Sequence, residues 1–395
     1  MDARIAGWGH TPFGRHEEKS LEDLITGAAR EALVHAGIEA RDVDAIWLGH
    51  FNSGLVADGF ASSLALQVDD DLRFKPATRC ENACASGSAA VYAARDAIRA
   101  GSARIALVVG AEKMTARDTA GVTKALAGAS YQREEADFSF PQIFARFANA
   151  YFQAYGDQSA ALARIAAKNH RNGARNPLAQ IRKDLGFEFC NTVSDKNPMI
   201  APPLRMTDCS LISDGAAALL MVADDMAEEM PHNIGFRAAV QVSDFLPMSK
   251  RDLLAFEGPA EAFRRAFDMA GIEVKDLDFA EVHDCFTIAE LMIYEAMGLA
   301  PRGRGALVVE EGTAEPDGAL PINLSGGLKA KGHPVGATGV SMHVLAAMQL
   351  AGEAGEMQRK GAELGLIFNM GGSGVANYCS ILENMDGQAR AAREA

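Results

Sequence analysis

The sequence has no uninterrupted apolar run of about 18 residues, the length that a membrane-spanning helix requires. Its first residues, MDARIAGWGHTPFG, also lack the basic start, apolar core and small-residue cleavage site of a secretory signal. Both absences predict a soluble cytoplasmic protein that does not act at a membrane.

Positive charge is scarce as well, because 38 lysines and arginines face 52 aspartates and glutamates, for a formal net charge of −14. An acidic surface repels nucleic acids and anionic lipids, so neither is an expected partner. A phosphate-bearing substrate would need a local basic patch. The densest one contains Lys168, Arg171, Arg175, Arg182 and Lys183. The sequence leaves open whether this cluster is a solvated helix face or a seat for substrate phosphates.

The six cysteines do not form the paired spacings of a zinc site. Cys80 and Cys84 resemble half of such a pair, but no second Cys or His pair follows at a suitable distance. A long acidic chain without an export signal is expected to keep its thiols reduced, and most of them should be small buried residues. The sequence therefore implies no metal and no redox cofactor.

Aromatic residues make up only 7% of the chain, although 48% of it is hydrophobic. This composition is typical of a globular protein, and its many small residues favour a core of close-packed helices. At 395 residues, the chain is long enough for two or three packed units.

An internal repeat organises these units. Residues 36–44 (AGIEARDVD) resemble residues 270–278 (AGIEVKDLD), and each segment follows an amphipathic helix and precedes a short apolar strand. Later in each half, residues 85–87 (ASG) and 337–339 (ATG) open helices that lead to strands ending in glycine turns. The repeat predicts a duplicated α/β unit with mixed sheets covered by helices, and two unrelated α/β domains are the alternative.

The repeat also gives element and domain bounds. The predicted strands are 45–48, 105–109, 279–282 and 364–368, and the predicted helices include 21–35, 260–269 and 337–350. We expect an N-terminal half at residues 1–114 and 206–245, an inserted loop domain at 115–205, and a C-terminal half at 246–395.

Cys84 is the first candidate for chemistry. It lies in RCENACASGSAAVYAARDAI, at a predicted turn from strand to helix. The free N–H groups and the dipole at a helix N-terminus lower the pKa of a thiol and can hold an oxyanion. A cysteine before a helix is more often a buried structural thiol, so this position alone does not decide its role.

Two histidines and a second cysteine are further candidates. His333 precedes a proline in SGGLKAKGHPVGATG, where it is either a catalytic base or a histidine of a glycine-rich surface turn. His283 and Cys285 lie in VHDCF, and in an extended segment they would project to the same face. The late segment FNMGGSG can offer backbone N–H groups as an anion nest.

Taken together, ENACASGSAAV, GGLKAKGHPVGATG and NMGGSG resemble the thiolase family. VHDCF is similar to its sterol-carrier-protein-2-type branch, and RIAGWGHTPFGR, KNHRNGARNPLAQ and ISDGAAALLM extend the resemblance over essentially the whole chain. It implies an α/β protein with the thiolase fold, in which two βαβαβαββ halves form a five-layered αβαβα core with an inserted loop domain. Members of the family are usually homodimers or homotetramers.

The resemblance also implies residue roles. Cys84 resembles the nucleophile that accepts the acyl group, and His333 resembles the base that activates it. Cys285 would exchange a proton with the α-carbon of the acetyl unit, while His283 helps His333 to hold a thioester oxygen. The backbone N–H groups of Cys84 and Gly371 would form the other oxyanion hole.

The sequence departs from other branches of the family at Asn369, where they carry the second catalytic cysteine. The resemblance to the VHDCF branch implies that Cys285 supplies this thiol from another loop. The remaining cysteines, including Cys379 in the predicted last strand, are interpreted as structural.

The resemblance implies a thiolase that exchanges 3-ketoacyl-CoA plus CoA with acyl-CoA plus acetyl-CoA, with CoA as substrate or product. One alternative is a retro-aldolase that cleaves a branched or sterol side-chain acyl-CoA together with a small OB-fold partner and needs no nucleophilic cysteine. Another is a non-catalytic acyl-CoA-binding subunit of a complex. We expect residues 115–205 to set the acyl-chain length.

Overall fold

The computed structural model describes residues 1–386. Its strands are β1 (Ala3–His10), β2 (Ala45–Gly49), β3 (Ala77–Cys80), β4 (Ile105–Lys113), β5 (Met199–Ala201), β6 (Leu204–Arg205), β7 (Asp214–Ala223), β8 (Ile234–Ser243), β9 (Phe279–Val282), β10 (Leu364–Gly371) and β11 (Ala376–Asn384). Its α-helices are α1 (Leu21–Ala36), α2 (Ala61–Leu64), α3 (Ser86–Arg99), α4 (Thr119–Ala127), α5 (Gln132–Glu135), α6 (Phe140–Tyr155), α7 (Ser159–Ala174), α8 (Gly186–Asn191), α9 (Glu257–Ala270), α10 (Thr287–Ala296), α11 (Ala306–Glu310), α12 (Gly327–Ala330) and α13 (Thr338–Ala351).

The strand pairing repeats in the two halves of the chain. The large sheet has the order β3-β2-β4-β7-β1-β8-β11-β10-β9, and a short pairing of β1 with β8 joins its halves. In the N-terminal half β1, β7 and β4 pair antiparallel, and β4 runs parallel to β2. In the C-terminal half β8, β11 and β10 pair antiparallel, and β10 runs parallel to β9. The duplicated α/β unit is therefore visible in the topology.

This pairing changes one predicted boundary. Residues 206–245 were predicted to belong with the N-terminal half, but β8 pairs along its length with β11 and meets β1 only near its first residues. Strand pairing therefore assigns β8 to the C-terminal half. The sequence did not reveal that β8 belongs to the C-terminal half, because none of the repeated segments includes a residue of β8. The last nine residues of the predicted half 246–395 lie outside the described residues.

Helices supply three layers between and outside the half-sheets. α1 packs on β1, β4 and β7 at one outer face, and α9 packs on β8, β11 and α10 at the other. α3 and α13 pack against each other between the two halves. α13 is accordingly buried around almost its whole circumference, as a helix between two sheets must be. The predicted five-layered αβαβα core is confirmed.

Predicted elements differ from the observed ones mainly where polar residues are buried. The apolar pattern predicts a strand that ends at residue 109, but β4 continues to Lys113. Glu112 and Lys113 are both buried. The Lys113 ammonium lies 2.6 Å from the carboxylate of Asp214, the first residue of β7. A buried charge is tolerated when it has a partner, and this partner is invisible in a local pattern.

The N-terminal turns of α3 and α13 come into backbone contact at two glycines. A Cβ built on Gly87 would lie 2.7 Å from the Val340 nitrogen, and one built on Gly339 would lie 2.2 Å from the Ser88 nitrogen. Only glycine allows this approach. The contact brings the turn that carries Cys84 next to the segment that carries His333.

We expect Gly339→Ala to lower the free energy of unfolding by about 3 kcal/mol, because the added methyl group overpacks a backbone contact. Gly27→Ala is the matched control, since Gly27 lies on the exposed face of α1 and its Cβ would meet only Thr11, at 4.0 Å. The control should stabilise the protein by about 0.5 kcal/mol. Urea unfolding of both variants measures the difference, and equal stabilities would contradict the close approach.

The basic cluster of the loop region divides into two environments. Lys168 is 1% exposed, and its ammonium lies 2.9 Å from the Glu290 carboxylate, so it belongs neither to a solvated face nor to a phosphate seat. Arg175, Arg182 and Lys183 are exposed, as either prediction requires.

Among the described helices, none combines the length and apolar character needed to cross a bilayer.

Candidate active site

Cys84 lies in a tight turn immediately before α3. The residue before it, Ala83, has a φ of 50°, a left-handed conformation that is uncommon for a residue with a side chain. The Ser86 hydroxyl stabilises the turn, since it accepts a hydrogen bond from the Asn82 N–H at 2.9 Å and donates one to the Ala83 carbonyl at 2.6 Å. The turn holds the Cys84 thiol at the head of the helix.

Cys84, Cys285 and His333 line one cavity of about 400 Å³. The inserted region contributes a large part of its wall, namely Thr119, Val122, Thr123, Leu126, Ala129, Phe140, Pro141, His170, Ile181, Leu185 and Ile200. Most of the remaining lining is also apolar. The predicted loop region therefore forms a large part of the wall of this cavity.

The environment of Cys84 differs from the prediction in one respect. The helix N-terminus was expected to lower the pKa of its thiol, but burial raises that pKa to about 12, and Glu112 and Glu81 add to the increase. Hydrogen bonds from the backbone N–H groups of Gly372 and of Cys84 itself oppose the shift without overcoming it. The backbone N–H groups therefore act on the thiol in the predicted direction, but the loss of solvation has the larger effect. The resting group is a thiol, and it needs a base.

His333 has the position and the protonation state that such a base requires. Its Nδ1 lies 2.7 Å from the Thr338 hydroxyl, which itself donates to the Pro334 carbonyl at 3.0 Å. The hydroxyl therefore accepts a hydrogen bond from Nδ1–H. The proton of the neutral ring is thus on Nδ1, and Nε2 carries a lone pair. Burial and the nearby Lys331 lower the pKa of His333 to about 3, so the imidazole is neutral at physiological pH.

His283 has the opposite tautomer, which Asn369 fixes. The Asn369 amide nitrogen lies 3.1 Å from the Cys84 carbonyl and 3.0 Å from His283 Nδ1. The Cys84 carbonyl can only accept a hydrogen bond, so the atom of the Asn369 amide that faces it is the NH₂ nitrogen. This nitrogen also donates to His283 Nδ1, and the Ser88 hydroxyl donates to the amide oxygen at 2.8 Å. His283 Nδ1 is thus an acceptor and Nε2 carries the proton. Nε2 is buried and has no hydrogen-bond partner within residues 1–386.

These side chains converge. One ligating atom from each of Cys84, His283 and His333 lies within 4.8 Å of the others, and the two imidazole rings meet edge to face with centroids 5.2 Å apart. The spacing would also suit a metal ion, but the proton on His283 Nε2 occupies the position that a metal would need. The arrangement instead offers a thiol, a lone pair to deprotonate it and an N–H donor for an oxygen.

A second His–Glu cluster lies away from this cavity and consists of His35, His232 and Glu353. His35 Nδ1 accepts the Trp8 backbone N–H at 3.3 Å, so its Nε2–H points to the Glu353 carboxylate 3.4 Å away. The two imidazoles stack at 4.8 Å. These contacts already use the nitrogens that a metal ion would require.

Glu112 ties the two halves together behind the site and was not singled out by the sequence. Its carboxylate accepts the Phe51 and Asn52 N–H groups at 2.9 and 3.0 Å and the Gly336 N–H at 3.0 Å. It also lies 3.0 Å from His50. Burial lowers the pKa of His50, but the adjacent Glu112 carboxylate outweighs it and the net shift is upward. The network holds the Gly336 turn beside Cys84.

The late glycine turn was predicted to supply the Gly371 N–H to an oxyanion hole. The N–H that reaches the Cys84 thiol from the late glycine turn belongs to Gly372, whereas the prediction named Gly371. Gly371 is the last residue of β10 and pairs with Ala376. A Cβ on Gly371 would lie 2.2 Å from the Asn82 carbonyl oxygen, so glycine is needed there for close passage of the chain. Its role in an oxyanion hole stays a prediction.

Comparisons with known proteins agree with this architecture. Residues 4–189 match the family described as "Thiolase, N-terminal domain", and residues 240–384 match "Thiolase C-terminal domain-like". The chain is 38% identical to an acetyl-CoA acetyltransferase of Methanothermobacter thermautotrophicus, over 94% of this chain and 97% of that protein. It is 31% identical to sterol carrier protein 2 of Bos taurus, over 94% of this chain and 70% of that protein.

Two solved structures share the fold. An aldolase described as Ltp2-ChsH2(DUF35) aligns with a TM-score of 0.84 at 24% identity, covering 97% of this chain and 98% of that one. Human mitochondrial 3-ketoacyl-CoA thiolase in complex with CoA aligns with a TM-score of 0.74 at 18% identity, covering 97% and 98%. At these identities the likeness concerns the fold alone. The family matches and the full-length relatives show that the chain belongs to the thiolase family.

Proposed function

We propose that the protein catalyses the reversible exchange of 3-ketoacyl-CoA plus CoA with acyl-CoA plus acetyl-CoA through an acyl-enzyme on Cys84. The observation that carries the proposal is the convergence of Cys84, His283 and His333, with complementary tautomers, in the cavity that Cys285 also lines. Acetyl-CoA acetyltransferase is also the name of the relative that is 38% identical over nearly the whole chain.

In the first step, His333 Nε2 removes the proton of the Cys84 thiol as the sulfur attacks the thioester carbonyl. In this proposal the two backbone N–H groups that act on the thiol, from Cys84 and Gly372, stabilise the developing oxyanion. The departing CoA sulfur takes the proton back from His333. Because one thioester replaces another, the step runs in both directions.

In the second step, His333 Nε2 takes the proton of the Cys285 thiol, and the resulting thiolate removes a proton from the α-carbon of acetyl-CoA. The enolate attacks the acyl group on Cys84, and the departing Cys84 sulfur takes the proton back from His333. In this proposal the N–H of His283 Nε2 donates a hydrogen bond to the enolate oxygen and stabilises its negative charge. Burial raises the pKa of Cys285 well above its ordinary value, so this thiol also rests protonated. It can therefore return a proton to the α-carbon during thiolysis.

Intact-protein mass spectrometry tests the acyl-enzyme. After brief incubation with acetyl-CoA, we expect a mass increase of one acetyl group that maps to Cys84 and disappears when CoA is added, because CoA reverses the transfer. Cys84→Ala should give no adduct, while Cys379→Ala is the matched control because that cysteine is buried in β11. A correctly folded wild-type protein without an adduct would contradict the proposal.

The retro-aldolase remains a second candidate because the aldolase structure with a DUF35 component aligns well with this chain. Such an enzyme needs no nucleophilic cysteine, whereas the convergence of Cys84, His283 and His333 supports one here. Acetoacetyl-CoA plus CoA separates the two functions, since only a thiolase releases acetyl-CoA from it. A requirement for a small OB-fold partner would support the aldolase or the non-catalytic subunit.

We also propose a homo-oligomeric assembly and a cytoplasmic location. β3 lies at an edge of the large sheet with Thr78 and Arg79 exposed, and an unpaired edge favours pairing with a second copy in a homodimer or homotetramer. All six cysteines are free thiols, which suits a reducing compartment such as the cytoplasm.

A further inference from the structure

Lys329 is a buried lysine without a partner. Its side chain belongs to α12, is 2% exposed, and lines the same cavity as Cys84. Within residues 1–386 its ammonium makes neither a hydrogen bond nor an ion pair within 4 Å. An isolated cation away from water is costly unless a counter-ion reaches it, so its presence needs an explanation.

The carboxylates nearest to Lys329 are already engaged. Asp208 accepts hydrogen bonds from the Arg205 guanidinium and the Thr287 hydroxyl, both at 2.8 Å. Asp284 accepts the Asn169 amide at 2.7 Å and the backbone N–H groups of Leu328 and Lys329. Burial lowers the pKa of Lys329 despite these acids, which shows that they do not compensate it fully.

His170 is a second unsatisfied group on this wall. It belongs to α7, is 1% exposed, and neither ring nitrogen has a hydrogen-bond partner among the described residues. α7 packs against α12, the helix of Lys329, and both side chains line the cavity. Cys84 packs instead beside a cluster that includes Phe51 and Met114 and to which neither α7 nor α12 contributes. The Lys329–His170 pair therefore occupies a different part of the cavity wall from the nucleophile.

We propose that Lys329 and His170 form a subsite for a carboxylate at the far end of the acyl chain. The inference rests on the proposed function, since it assumes that an acyl group extends from Cys84 into this cavity. The substrate class would then be 3-ketoacyl-CoA thioesters of dicarboxylic acids. The apolar lining between the two ends suits the methylene groups of such a chain, and the carboxylate supplies the missing counter-ion.

Binding to the full-length Cys84→Ala protein tests the subsite without requiring turnover. Succinyl-, glutaryl- and adipyl-CoA are each compared by calorimetry with butyryl-, pentanoyl- and hexanoyl-CoA, which have the same chain lengths but end in a methyl group. A charge-assisted pair predicts that at least one carboxyl-ended ligand binds about tenfold or more tightly than its methyl-ended match. Adding Lys329→Met should remove this preference.

Lys275→Met is the control, because Lys275 is exposed, pairs with Glu273 at the surface and does not line the cavity, and it should keep the preference. Thermal unfolding checks the fold, and Lys329→Met should not lower Tm because it removes an uncompensated buried charge. Lys329→Gln, which keeps a polar group without the charge, provides a second variant. Equal affinities at every chain length would overturn the proposal, as would a preference that survives both Lys329 variants. The acetyl adduct on Cys84 decides the thiolase function separately.

Discussion

Cys285→Ala is expected to lower the rate of acetoacetyl-CoA thiolysis by about 10⁴-fold, the upper range for loss of a general acid–base group. Cys285 lines the cavity beside Cys84 and His333, and it is the candidate for proton exchange at the α-carbon. The variant should still form the acetyl adduct on Cys84 from acetyl-CoA, because acyl transfer uses only the nucleophile and its base. Steady-state thiolysis and mass spectrometry measure the two effects.

The deuterium content of acetyl-CoA provides an independent readout of the same role. Wild-type protein in D₂O should exchange the methyl protons of acetyl-CoA, and Cys285→Ala should not. Cys209→Ala is a suitable control, since this cysteine also lines the cavity but lies near Lys329. Proton exchange that persists in Cys285→Ala would assign the α-carbon chemistry to another group.

Asn369→Asp should lower thiolysis by about 10²- to 10³-fold, the usual loss when one oxyanion donor is removed. The new carboxylate would accept a hydrogen bond from His283 Nδ1–H and so favour the tautomer with the proton on Nδ1. Nε2 would then lack the hydrogen that is proposed to bind the enolate oxygen. The carboxylate would also repel the Cys84 carbonyl, which accepts the Asn369 amide at 3.1 Å in the native protein. Kinetics with acetoacetyl-CoA measure the loss.

The comparison with Asn369→Ala separates tautomer control from simple loss of packing. Alanine imposes neither tautomer, so its activity should lie between those of the wild type and Asn369→Asp. Nitrogen-15 NMR of the His283 ring gives the tautomer directly, with Nε2 protonated in the wild type and Nδ1 protonated in the aspartate variant. A wild-type ring with the proton on Nδ1 would contradict the proposed donor.

The sequence predicted the parts of the site that depend on local motifs. Cys84 at a helix start, His333 in a glycine-rich segment and the VHDCF pair were identified because each motif is contiguous. The duplicated fold followed from the repeat at residues 36–44 and 270–278. Both predictions use information that lies within a few residues along the chain.

The roles that depend on distant partners were missed. Asn369 was interpreted only as the absence of a cysteine, although its amide contacts both His283, 86 positions away, and Cys84, 285 positions away. Lys168 was counted with an exposed basic cluster, yet it pairs with Glu290 in the interior. The raised pKa of Cys84 also came from burial, and a motif carries no record of how much protein surrounds it.

The glycine contact between α3 and α13 makes the catalytic pair a property of an interface. Cys84 comes from the first copy of the duplicated unit and His333 from the second, so neither copy alone holds both groups. Fusion in one chain keeps the two copies at a high effective concentration, which a pair of separate proteins would have to reach through affinity. On the proposed mechanism, the nucleophile and its base are therefore always present in equal number, whatever the concentration of the protein.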